Sequence, residues 1–320
     1  MLVKLIIKGS MMKLILFIFL FSLTGFAQQR TIAITIDDLP VVSTRTDIKN
    51  RREITKKILG HITKAKAPVI AFVNENKLYN GDKRDEKQID LLRMWLAAGV
   101  ELGNHTYSHK SLNAIPLADY ETDLLKGETI TKELLAANGR PIRFFRHPFL
   151  QTGRTMQIKT DFAVFLKQHG YAIAPISFDN ADYIFSRAYD IAFDKGDKKM
   201  MKRVGEAYVP YMESKLVYWE RQSVRLFGRE MAQTLLIHAN FINSDYLGDL
   251  IAMFKLRGYK MVDLETALKD DAYRLPDTYV GGAGISWLHR WALERGKSYV
   301  VPDEPTVPPF VLKLSGFESE

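Results

Sequence analysis

Residues 31–36 (Thr-Ile-Ala-Ile-Thr-Ile) alternate threonine with apolar residues and predict a first β-strand, which Asp37-Asp38-Leu39-Pro40 ends. Over residues 50–66, Ile54, Ile58, Leu59 and Ile62 recur at helical spacing. Pro68 then opens Val69-Ile70-Ala71-Phe72-Val73, a continuous apolar run of the kind a strand buried on both faces shows. The alternation repeats down the chain. Helices are predicted over 85–98, 117–137, 158–169 and 244–257, with a short one over 264–268. Strands are predicted at 100–103, 142–146, 171–174, 234–237 and 259–262. Residues 184–229, rich in charge and aromatics, read as a helical excursion. Beyond residue 270 the pattern lapses into an extension, with a capping helix expected over Trp287–Arg295 and an extended Pro-rich tail from Pro302 to Pro309.

About seven strand–helix units in series argue for parallel strands with helices outside. The fold class expected is therefore α/β, a (β/α)7-type barrel over residues 28–270, closed or nearly so. It is preferred to an open doubly wound sheet because polar clusters recur just past strand ends, the layout of barrel active sites. No Gly-x-Gly-x-x-Gly or P-loop follows a strand, so no nucleotide or nucleic-acid partner is assigned.

Composition adds two points. There are no cysteines, so a metal would have to be held by His, Asp or Glu. The first 27 residues have the form of an export signal: Lys4, Lys8 and Lys13 ahead of an apolar core from Leu14 to Leu23, then Gly25-Phe26-Ala27. Cleavage after Ala27 and export to the periplasm or medium are expected, with an uncleaved membrane anchor as the alternative. Loss of those three lysines takes the formal charge from +8 to +5, ordinary solubility charge with some pull toward anionic polymers or membranes.

The candidate chemistry centres on Gly103-Asn104-His105-Thr106-Tyr107-Ser108-His109. Histidines four residues apart put both imidazoles on one side of a helical turn, a spacing that suits zinc and its neighbours, although a polar helix face has the same spacing. A third ligand would decide between them, and Asp37-Asp38 is the best candidate. Further polar clusters follow later strands: Arg146-His147-Pro148-Phe149, Asp179 to Tyr183, and His238. Singly these are ordinary turn, cap or structural residues; their convergence on one barrel face is the stronger signal.

Taken in order, Thr35-Ile36-Asp37-Asp38, His105-Thr106-Tyr107-Ser108-His109, Arg146-His147-Pro148-Phe149, Asp179-Asn180-Ala181-Asp182-Tyr183 and Leu236-Ile237-His238 resemble the five motifs of the polysaccharide deacetylases, the NodB homology domain or carbohydrate esterase family four. The resemblance spans about residues 31–268. It implies a distorted (β/α) barrel, a divalent metal, most often Zn2+, and hydrolysis of acetyl groups from amino sugars of a cell-wall or extracellular polysaccharide. By the same resemblance Asp38, His105 and His109 match the metal ligands, and Asp37 matches the general base, oriented by Arg146. The backbone N–H of Phe149 matches an oxyanion donor. His238 matches the general acid, and Asp182 the carboxylate that tunes it.

The chain departs from the family pattern at Leu39 and Leu150, where glycine is usual, at Tyr183, where tryptophan is usual, and at Phe149, where tyrosine is frequent. These changes touch the walls of a sugar cleft more than its chemistry. Two other readings therefore stay open beside N-deacetylation: an O-acetyl esterase or small-amide hydrolase, and a carbohydrate-binding barrel without turnover. In the excursion, Tyr189, Tyr208, Tyr211, Tyr218 and Trp219 supply either a sugar-stacking wall or, more plainly, the core of a packed insertion.

Overall fold

A computed structural model describes residues 29–296 and 304–320. Residues 1–27, which the sequence leads one to expect as an export signal, lie outside the described residues, as do the first two of the Pro-rich tail. In chain order the elements are β1 (Thr31–Leu39), α1 (Ile48–Ala65), β2 (Val69–Val73), a β3–β4 ribbon (Tyr79–Asn80 and Lys83–Arg84), α2 (Glu86–Ala97), β5 (Glu101–Asn104), α3 (Leu117–Lys126), α4 (Thr129–Ala136), β6 (Phe144–Phe145), α5 (Met156–Gln168) and β7 (Ala172–Ile173). They continue with α6 (Asp182–Asp194), α7 (Lys198–Phe227), β8 (Gln233–His238), α8 (Phe241–Leu256), β9 (Lys260–Met261), α9 (Leu264–Ala267), α10 (Trp287–Glu294) and α11 (Pro309–Ser315).

The main sheet is parallel, in the order β7-β6-β5-β2-β1-β8, with β9 on the start of β1. It curls back on itself. Just past β7, Phe178 bridges Leu235 of β8, and the N–H groups of Ser177 and Phe178 both donate to the Thr234 carbonyl. The result is the distorted, nearly closed (β/α) barrel that the sequence predicts.

The two faces of β1 explain why. Ile32, Ile34 and Ile36 point outward into a core shared with Ile54, Ile58 and Ile62 of α1 and with Leu247 and Ile251 of α8. Ala33 points inward, to a small interior cluster with Ile70, Phe72, Phe144 and Ala174. Both faces are thus covered, which is why these strands read as unbroken apolar runs. The inward series 33, 35, 37 then carries Thr35 and Asp37 up the inside of the barrel, as the two-residue strand period requires.

One feature differs from expectation, and two others fill it in. The single helix predicted over 117–137 is two, α3 and α4, broken at Gly127-Glu128. The break has a packing cause: a Cβ on Gly127 would overlap the backbone of Thr106 and Tyr107, so the chain passes there with no side chain. The excursion is a pair of helices, α6 and α7, packed on each other and on α8. Residues 304–308 of the Pro-rich tail carry no helix, as expected, and the chain then forms α11, which packs on α6, so the C-terminal segment folds back over the insertion.

Candidate active site

The site lies where the strands end, across the order β8, β1, β2, β5, β6. Asp37 and His238 are register partners on adjacent strands. Asp38 sits in a bulge: between Ile36 and Leu39, β1 advances three residues while β2 advances two, from Ala71 to Val73. Its φ of 69° is left-handed, a conformation aspartate tolerates better than most residues. The bulge resolves the geometric problem of neighbouring acids. In a regular strand they would face opposite ways, but here both reach the same cleft.

Asp38, His105 and His109 present ligand atoms that all lie within 4.8 Å of one another. His109 Nε2 is 3.4 Å and His105 Nε2 3.7 Å from Asp38 Oδ1. No helical turn joins the two histidines. Residues 105–110 form a loop in which Thr106 and His109 are left-handed, with φ of 65° and 55°. Side chains hold that loop: Asn74 Nδ2 donates to the His105 carbonyl, Asn104 Oδ1 accepts from the Thr106 N–H, and Asp123 accepts from the N–H and hydroxyl of Ser108. His105 Nδ1 lies 2.8 Å from the Arg146 carbonyl, which can only accept. That bond fixes the proton on Nδ1 and turns the Nε2 lone pair toward Asp38.

These groups fit a cation. Asp38 Oδ1 is buried and has no hydrogen-bond partner among the described residues. Burial alone would raise its pKa, yet Lys77, His109, His238 and His105 outweigh burial and hold the carboxyl well below the usual range. Burial pushes both His105 and His109 down, so both rings are neutral and able to ligate near pH 7.

Asp37 is different. Burial pushes it up to about 6 despite the opposing pull of Arg146 and His238. Arg146 is fully buried, with Nε 4.0 Å from Asp37 Oδ2, one donor on Thr35 Oγ1, and its guanidinium over the Phe72 ring. Across the cleft His238 Nδ1 meets Asp182 Oδ1 at 2.7 Å, and Asp182 Oδ2 accepts from the His238 N–H, Asn240 Nδ2 and Asn243 Nδ2. Burial opposes the charged imidazole, but Asp182 prevails and raises His238 to about 9. Phe149 stands at the rim with its ring 4.6 Å from that of His109. Asp37, Asp38, His105, His109, Phe149 and His238 thus line one cleft of about 710 Å³, with Arg146 beside Asp37 and Asp182 bonded to His238.

Some contributors left no clear mark in the sequence. Lys77 Nζ donates to the Asp38 carbonyl at 2.8 Å and lies 3.8 Å from Oδ1. The rule that polar groups follow strand ends, applied to β2, would have pointed to Asn74–Lys77. Tyr189, Tyr208, Tyr211, Tyr218 and Trp219 of the excursion are buried, as a packed insertion requires, and Trp219 also lines the cleft. Its Nε1 donates to the Asp179 carbonyl. The far wall comes from the C-terminal segment: Ser286, His289, Glu304 and Glu320 line the cleft, and buried Lys215 pairs with both glutamates at 2.7 and 2.6 Å.

No curated protein matches the chain by sequence. Among solved structures, a mutant of a CE4 family pseudoenzyme has a TM-score of 0.50 at 15% identity, covering 75% of this chain and 68% of that one; the likeness is one of fold. The peptidoglycan deacetylase PdaC from Bacillus subtilis has 20% identity and a TM-score of 0.47, covering 76% of this chain and 93% of that one. A family 4 carbohydrate esterase from Streptomyces lividans, in complex with acetate, has 15% identity and a TM-score of 0.46, covering 74% and 95%. Residues 25–172 match the family model described as polysaccharide deacetylase, a span that holds Asp37, Asp38, His105, His109 and Arg146.

Proposed function

We propose that the protein is a metal-dependent hydrolase that removes N-acetyl groups from amino sugars of a cell-wall or extracellular polysaccharide. The observation that carries this reading is the meeting, in one cleft, of a neutral-histidine and carboxylate cluster with a separate base–acid pair, Asp37 and His238. Asp38, His105 and His109 would hold a divalent cation, most simply Zn2+, given two imidazoles, one carboxylate and no thiolate. When bound, such a cation lowers the pKa of water and polarises a carbonyl.

The remaining roles fall to the protein's own groups. Asp37 takes the proton of the attacking water, and Arg146 holds that carboxylate in place and offsets its charge. The Phe149 N–H faces the developing oxyanion. His238, kept protonated by Asp182, gives its proton to the departing amine. Export through the N-terminal signal would bring this chemistry to its substrate. Mass spectrometry of the protein from its host tests that step, with an N-terminus near Gln28 expected and an intact one in the cytoplasm against it.

Acetate release from a panel of N- and O-acetylated glycans, with metal content measured on the same preparation, tests the reading. Metal-dependent release from N-acetylated members is expected. Release from O-acetyl esters alone would assign an esterase instead, and binding without release would assign a lectin-like barrel.

A further inference from the structure

The turn that carries Phe149 is not held by the barrel alone. Phe149 and Leu150 are consecutive non-glycine residues in the left-handed region, with φ of 56° and 52°, a conformation that L-residues resist and that persists only where the surroundings impose it. Two local bonds close the turn, from the Leu150 N–H to the His147 carbonyl and from the Gln151 N–H to the Pro148 carbonyl. Ser111 and Asn113 of the barrel hold Gln151 and Gly153, and further constraints come from more than 130 residues downstream in sequence, outside the barrel pattern.

Arg290, on α10, is almost completely buried. Its Nη2 donates to the Leu150 carbonyl and its Nη1 to Thr152 Oγ1 at 2.9 Å. The guanidinium is itself immobilised. Asp277 Oδ2 accepts from Nη1 at 2.8 Å, the Ile285 carbonyl accepts from Nε, and the Trp287 ring lies 3.9 Å from the guanidinium carbon. Asp277 is fixed in turn by Lys159 at 2.7 Å. From the other side the chain presses on the turn at Gly284, where a Cβ would overlap the Phe149 carbonyl oxygen. Only glycine lets the backbone approach so closely.

We infer that Gly284 and Arg290 are positioning residues for the Phe149–Leu150 turn, so that the C-terminal extension is part of the catalytic unit rather than an appendage. The consequence for turnover rests on the function proposed above, in which the Phe149 N–H faces the reacting carbonyl. Arg290 grips the turn one residue beyond that donor, and Gly284 abuts the carbonyl of the residue that carries it. Loosening either displaces the donor and leaves Asp38, His105 and His109 where they are.

The test compares wild type with Arg290→Lys and Gly284→Ala by hydrogen exchange, kinetics and zinc affinity. In both variants the amides of residues 149–152 should exchange about tenfold faster or more, while those of β1 and the His105–His109 loop are unchanged. The value of kcat should fall about 10-fold to 100-fold with KM within about threefold, the signature of an interaction made in the transition state. Zinc affinity should be unaltered. Unchanged exchange at 149–152 in both variants overturns the inference, as does faster exchange with unchanged kcat. If wild type releases no acetate from any glycan, the functional reading fails, and exchange alone then decides whether the extension pins the turn. Should Arg290→Lys not fold, Gly284→Ala carries the same comparison.

Discussion

His238 and Asp182 are joined twice: the carboxylate takes the imidazole Nδ1 on one oxygen and the backbone N–H of the same histidine on the other. The pair thus fixes ring orientation as well as charge. A histidine raised to about 9 keeps its proton through neutral pH, and activity should fall as pH rises through that value. Asp182→Asn removes the charge that raises it, so the alkaline limb should move toward the ordinary histidine range. A bound dication lowers both limbs alike, which makes the difference between the two proteins the quantity to measure in a pH–rate profile. The sign carries over to stability. Because the folded pKa lies above the unfolded one, the pair's contribution is complete below about 6.5 and is lost as pH rises through about 9.

Asp37 and Asp38 should separate cleanly. Asp37→Asn keeps shape but cannot take a proton, so turnover should drop by roughly 10²–10⁴-fold with metal retained. Asp38→Asn should weaken metal binding instead. Elemental analysis and acetate release on both variants check this. Loss of metal in Asp37→Asn alone would mean that the bulge presents the acids in the opposite roles.

Metal should stabilise the fold as well as activate it. With free Zn2+ at 100 times its dissociation constant the folded state gains about 2.7 kcal/mol, so the melting temperature should rise with Zn2+ and fall on chelation. His105→Ala and His109→Ala should both abolish that response. A response that survives in both variants would remove these rings from the ligand set.

Gly127→Ala tests the helix break. The added Cβ overlaps the Thr106–Tyr107 backbone between the two histidines, so this change should destabilise by about 1–3 kcal/mol. It should also lower metal affinity, because Thr106 and Tyr107 belong to the loop that carries both imidazoles. Chemical denaturation and a chelator competition assay read the two effects separately.

Much of this was legible in the sequence because barrel strands announce themselves twice, by an apolar run and by the polar residues that follow it. Asp37, Arg146 and His238 each sit at such an end, and the outward Ile32–Ile34–Ile36 series fixes the face on which Asp37 must emerge. The geometry of the histidine pair was not legible. Spacing alone suggested a helical turn, whereas Asn74, Asn104 and Asp123 impose a loop through bonds that no local pattern reveals. The break at Gly127 is invisible for the same reason, since the backbone it meets is about 20 residues away. Lys77, Trp219, Arg290 and the glutamates of the far wall enter the site only after the chain has folded back on itself, and their positions carry no periodicity to read.

The central place of β1 also bears on how the protein comes into being. One edge of β1 is paired by β2, but its other edge waits for β8, with Thr35 bonded to the carbonyl of Leu235, 200 residues later. Closing a loop of that length costs about 5 kcal/mol of chain entropy by the logarithmic law, and such distant pairings form late. A nascent chain that has reached residue 172 already holds Asp38, His105 and His109 but lacks the strand that completes the sheet beside them. Until β8 arrives, β1 is an open edge able to recruit another chain. The stretch that matches the family model therefore cannot complete its own sheet.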